Sequence, residues 1–139
     1  MPSLTPRELA YLSITGPGTH EAITERLQVQ PSEAWNAGDV NPKTGRPRKG
    51  MCWRLRSGSD DTRSLEEHIR SLLIRMSMRA AEIRELWADY DLTLQCVGYY
   101  PPSSGSGMHF DREVVRQAGQ LGLAIDCDHY FIDDHDHDG

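Results

Sequence analysis

Between Ser64 and Met76 the apolar residues Leu65, Ile69, Leu72, Leu73 and Met76 recur at helical spacing, and Ser64 followed three positions later by Glu67 has the pattern of a capping box. A helix with one apolar stripe gains most of its stability from whatever covers that stripe, so the rest of the chain must supply a surface. Short alternating segments offer one. In residues 9–15, Ala10, Leu12 and Ile14 fall on one side and Leu9, Tyr11, Ser13 and Thr15 on the other. Met51, Trp53 and Leu55 alternate with Cys52, Arg54 and Arg56, which makes Trp53 a core residue and points the arginines outward. Residues 92–100 carry Leu94 and Cys96 on one face and Val97 and Tyr99 on the other, and Leu123, Ile125 and Cys127 alternate with Ala124, Asp126 and Asp128.

Helices are expected between these strands. Thr19 caps a segment of ten residues or fewer in which Ala22, Ile23 and Leu27 share a side before Pro31 closes it. Ser77 is the expected bend between the long helix and a continuation through Ala80, Ile83, Leu86 and Trp87 to about Asp89. Asp111 caps the last helix, Phe110 and Val115 form a hydrophobic staple, and Gly122 stands where a left-handed residue would end it. The order predicts an α+β fold: helices packed on a sheet of about four strands, a single two-layer domain over residues 1–132, with an acidic Asp/His tail at 133–139. Its core is expected to hold Leu12, Ile14, Trp53, Leu65, Ile69, Leu72, Leu94, Val115 and Ile125.

A length of 139 residues suits one domain, and 37% hydrophobic with 26% charged residues excludes collagenous, coiled-coil and wholly disordered chains. No apolar run is long enough to span a membrane, and residues 1–20 lack the apolar stretch of a secretory signal, so a cytoplasmic protein without a membrane partner is expected. Cys52, Cys96 and Cys127 are odd in number and widely spaced, and all three read as reduced thiols packed in the core.

Charge is distributed unevenly. The net charge is −6, but residues 126–139 hold six aspartates and no Lys or Arg, so residues 1–125 are neutral. Between Asp39 and Asp60 stand Lys43, Arg46, Arg48, Lys49, Arg54 and Arg56 with no acidic residue among them, partly in the exposed loop NPKTGRPRKG. These cations suit a partner's carboxylates or phosphates, and nucleic-acid binding through this stretch is one alternative to a solvated loop. Asp126, Asp128, His129, His135 and His137 supply oxygen and nitrogen donors for a divalent metal such as zinc, manganese or nickel. Residues 133–139 contain no apolar anchor, so a solvated tail without a cofactor is the simpler reading. Asp126 and Asp128 line an acidic pocket or form the exposed face of an edge strand, and both readings stay open. His109, between a Gly/Ser-rich loop and a helix cap, is placed to receive an anion or to hydrogen-bond locally. His68 falls in the polar sector of its helix and is expected at the surface. No nucleophile elbow, P-loop or dinucleotide fingerprint occurs.

In order along the chain, Ile14-Thr15-Gly16, the Leu27 to Pro31 turn, Trp35 with Gly38-Asp39, Trp53, Leu65-Glu66-Glu67-His68, the loop before His109, Leu121-Gly122-Leu123, and Asp126, Asp128 and Tyr130 resemble the bacterial domain-of-unknown-function 4279 family over about residues 8–131. The resemblance implies a small intracellular bacterial domain and carries no catalytic motif. The expected function is a noncatalytic binding protein, of the kind that inhibits a protein partner as immunity proteins do, through Arg46, Arg48, Lys49, Arg54, Arg56, His109, Asp126 and Asp128. The alternatives are a metal-dependent hydrolase built on the Asp/His cluster and a nucleic-acid binder built on the basic loop.

Overall fold

The computed structural model describes residues 6–58, 60, 62–102 and 107–132. The chain runs β1 (Arg7–Gly16), α1 (His20–Leu27), β2 (Glu33–Trp35), β3 (Met51–Arg56), α2 (Leu65–Ser77), α3 (Ala80–Glu85), β4 (Asp91–Tyr100), α4 (Arg112–Gln120) and β5 (Ala124–Phe131). It is an α+β fold in two layers. The five strands form one sheet in the order β2-β3-β1-β4-β5, antiparallel except for the β4–β5 pair, whose parallel course requires the crossover that α4 supplies. The expected four strands are present, and a fifth, β2, adds an edge.

The helix starts follow the caps. Thr19 accepts from Ala22 N, Ser64 from Glu67 N and Asp111 from Val114 N. α2 ends at Ser77 and α3 starts at Ala80, dividing the helical region at the expected bend. Gly122 takes φ +69, and a Cβ there would lie 2.3 Å from the Trp87 ring, so close packing and backbone conformation both call for glycine. Trp87 is 45% exposed rather than part of the stripe, because its Nε1 reaches out to donate to Leu121 O at 2.9 Å.

The main apolar cluster lies on one side of the sheet, and Cys52 and Val97 are buried on the other. Ala10, Leu12, Ile14, Trp53 and Leu94 meet Ile23 and Leu27 of α1 and Ile69, Leu72 and Leu73 of α2 in one buried cluster. Trp53 Nε1 donates to Thr24 Oγ1 at 3.0 Å, so the indole is buried with its polar atom satisfied. Three expectations are corrected here. Val115 is 52% exposed while Val114 and Ala118 turn inward, so the apolar face of α4 is one residue away from its expected position. His68 is buried, its Nδ1 2.6 Å from Ser57 Oγ, because it completes the α2 stripe between Leu65 and Leu72. Cys127 is exposed, because the helix layer leaves most of edge strand β5 uncovered.

Among the described residues no helix is long and apolar enough to cross a membrane.

Candidate functional site

Strand alternation that fills the core from one face sends every second residue to the other, and among the described residues no helix packs on that second face. Register defines its rows. Glu33, Arg54, Ser13, Thr93 and Ala124 lie side by side, and beside them Arg56, Tyr11, Gln95 and Asp126. Arg7, Tyr99 and Tyr130 form another row.

Two guanidiniums pack on Trp35 of β2, with Arg48 Cζ 3.8 Å and Arg54 Cζ 4.8 Å from its ring centroid. Arg54 also lies 5.1 Å from the Tyr11 ring and 3.4 Å from Glu33 Oε2. Nε of both arginines is buried, and neither has a hydrogen-bond partner among the described residues. Burial raises the Tyr11 phenol above its ordinary value, against the opposing pull of Arg54. At the far end Arg7 sits 4.8 Å over the Tyr99 ring, which stacks on Tyr130 at 5.2 Å.

The loop bearing Arg48 is a folded ribbon. Gly38 N donates to Arg48 O at 2.9 Å, Arg48 N to Asp39 O at 2.7 Å and Asn41 N to Arg46 O at 2.8 Å, with Val40 bridging Pro47. Asn36 anchors it to α1, accepting from His20 N and donating to Glu21. Lys43, Arg46 and Lys49 on this ribbon are exposed, whereas Arg48 is half-buried on Trp35.

The structure thus gathers Arg48, Arg54, Arg56, Asp126 and Asp128 on one face, with Arg46 and Lys49 at its margin. Asp126 and Asp128 form the exposed face of an edge strand, and Asp128 accepts from Gln95 Nε2 at 2.9 Å. His109 stands apart, exposed between Met108 and Phe110, which pack on the core. His129 alternates with Asp128 and lies on the helix side, its ring 4.6 Å from that of Tyr100. His135 and His137 lie outside the described residues, and among the described residues no three His, Cys, Asp or Glu side chains converge.

Among the described nucleophiles, Ser57, Cys52 and Cys96 are buried and Cys127 is exposed. Ser57 and His68 approach closely but both are buried. Burial pushes the Cys96 thiol up to about 12 and raises that of Cys127, so both stay protonated at neutral pH. Cys52 is buried beside Ser13, as expected of a packed thiol.

Trp35 and Tyr11 carry the stacks but are not among the residues expected to bind. β2 is three residues long, too short for a period, and the available signal is a strand-forming Trp between Pro31-Ser32 and Asn36-Ala37-Gly38.

A family model described as "Domain of unknown function (DUF4279)" matches residues 5–132. No curated protein and no solved structure matches the chain.

Proposed function

Because the chain belongs to the DUF4279 family across nearly its whole length, so that the sheet and its uncovered face are the family domain itself, we propose that it is a noncatalytic binding protein that covers a protein partner with this face. The finer reading is an immunity-type inhibitor acting in the bacterial cytoplasm. One observation carries it: Trp35, Tyr11, Tyr99 and Tyr130 stand on the uncovered face with Arg48 and Arg54, already stacked. Tyr, Trp and Arg dominate the energetics of protein interfaces, and stacked side chains lose less rotamer freedom on association. The ribbon charges Arg46 and Lys49 suit an acidic partner through electrostatic steering. Two guanidiniums already pack on Trp35, so a nucleobase stacking there would compete with them, which favours a protein over a nucleic acid.

The test is association with a partner captured from the native host, measured at low and moderate salt. Reversing Arg46, Arg48 and Lys49 to Glu is expected to slow association and flatten its salt dependence while leaving the fold intact. Unchanged rates and salt slopes would remove the ribbon from the interface and count against the docking reading.

A further inference from the structure

The uncovered face is self-complementary. One row crosses it as Arg56, Tyr11, Gln95 and Asp126, on β3, β1, β4 and β5 in turn. Outward from the β1–β4 seam the row reads Tyr11 then a cation on one side, and Gln95 then an anion on the other. Residues across the seam are matched in kind in the adjoining rows, Ser13 with Thr93 and Leu9 with Val97. Arg56 and Asp126 are both exposed, and neither has an ion-pair partner among the described residues. Three strand spacings of about 4.8 Å hold them roughly 14 Å apart, too far to pair within one molecule.

Consider a second copy turned by 180° about an axis parallel to the strands and lying above the β1–β4 seam. β3 of each copy then lies over β5 of the other, β1 lies over β4, and every row keeps its own level. Arg56 faces the second copy's Asp126 at both ends of the row, and Tyr11 faces Gln95 in the middle. Turning about an axis across the strands would instead put β3 on β3 and arginine on arginine. Packed sheets lie about 10 Å apart, within the combined reach of an arginine and an aspartate.

We propose that this face pairs with the same face of a second copy of the chain about a two-fold axis along the strands, closed by reciprocal Arg56–Asp126 ion pairs. The proposal rests on the reading of this face as a docking surface and names the occupant when no other partner is bound. The flat area of the face is roughly 20 Å by 20 Å, about 400 Å² per copy against about 800 Å² in a standard interface, so the pairing is weak and salt-sensitive.

Sedimentation velocity of the full chain over a range of concentrations tests it. At low salt the parent is expected to pass from monomer to dimer as concentration rises, and to return to monomer at high salt. Arg56→Asp or Asp126→Arg alone sets like charges face to face and should weaken self-association at least about tenfold. Mixing these two variants in equal amounts should restore a dimer, since each supplies the charge the other lacks. Thermal midpoints of both variants should match the parent, because neither residue is in the core. A parent that stays monomeric at every concentration overturns the proposal, and so do single variants that dimerise like the parent or a mixture that stays monomeric. Partner capture by the parent, lost in the ribbon variant, would in that case keep the docking reading and sink only the self-pairing. Capture unchanged in the ribbon variant counts against the docking reading whatever the mass shows.

Discussion

The Tyr100 phenol on β4 donates a 2.6 Å hydrogen bond to Glu8 Oε2 on β1, and the other oxygen of that carboxylate accepts Leu65 N at 3.1 Å, where α2 begins. One side chain therefore joins β1 and β4 to the principal helix, with its negative charge at the helix N-terminus. Tyr100→Phe is expected to cost about 1.5 to 3 kcal/mol, the range for a hydrogen bond to a charged group, and Glu8→Ala more because it also strips the helix start. Urea midpoints measure both, and a Tyr100→Phe protein as stable as the parent refutes the linkage.

Alkaline pH tests the same contact. Burial, then the Glu8 hydrogen bond and charge, raise the Tyr100 phenol above its ordinary value. A folded value above the unfolded one favours the protonated form in the native state, so this contribution is complete below about pH 10 and lost as pH rises through the folded value. Parent and Tyr100→Phe stabilities should converge above that pH.

At the acid end, the Val114 N–H hydrogen bond first, then the charge of Arg70 at 2.5 Å, lower the Asp111 carboxyl. The sign is opposite: the contribution is present above the unfolded value and disappears as pH falls through the depressed folded one. Asp111→Asn should keep the α4 cap, lose the Arg70 pair and show a shallower acid limb in chemical denaturation.

The corrected face of α4 separates two neighbours. Leu72→Ala should cost about 2 to 5 kcal/mol as a fully buried truncation. Val114→Ala should lower the midpoint clearly, whereas exposed Val115→Ala should stay within about 0.5 kcal/mol of the parent. Equal effects at 114 and 115 would restore the staple arrangement.

Ser57→Ala removes the hydroxyl beside His68 Nδ1, and His68 Nε2 is already buried without a partner among the described residues. The expected cost is about 1 to 3 kcal/mol. Thermal unfolding that does not shift would show that water or a local rearrangement satisfies the imidazole.

Capping residues act within one turn, so Thr19, Ser64, Asp111 and Gly122 were legible without any tertiary knowledge. Val114 and Val115 are adjacent apolar residues, and periodicity alone does not say which one faces the sheet. His68 stands in the series Leu65, His68, Leu72, Met76, and its polarity masked a stripe position that Ser57 makes tolerable. The charged residues of the proposed docking face were visible as charges, whereas Trp35 and Tyr11 were not singled out. Their assembly on one face depends on strand order, which brings β3 and β5 to opposite sides of a β1–β4 centre, and strand order is a long-range property that local patterns do not encode.

The central strand β1 and its neighbour β4 come from residues 7–16 and 91–100. β1 leaves the ribosome before β4 and until then can pair only with β3, so the β1–β4 pair forms only after residues 91–100 have emerged. β5 must then add in parallel after a helical crossover, a pairing that is intrinsically slow to find. Folding is therefore expected to be limited by closure of the β1–β4 pair, with the late-arriving C-terminal third acting as the step that commits the chain.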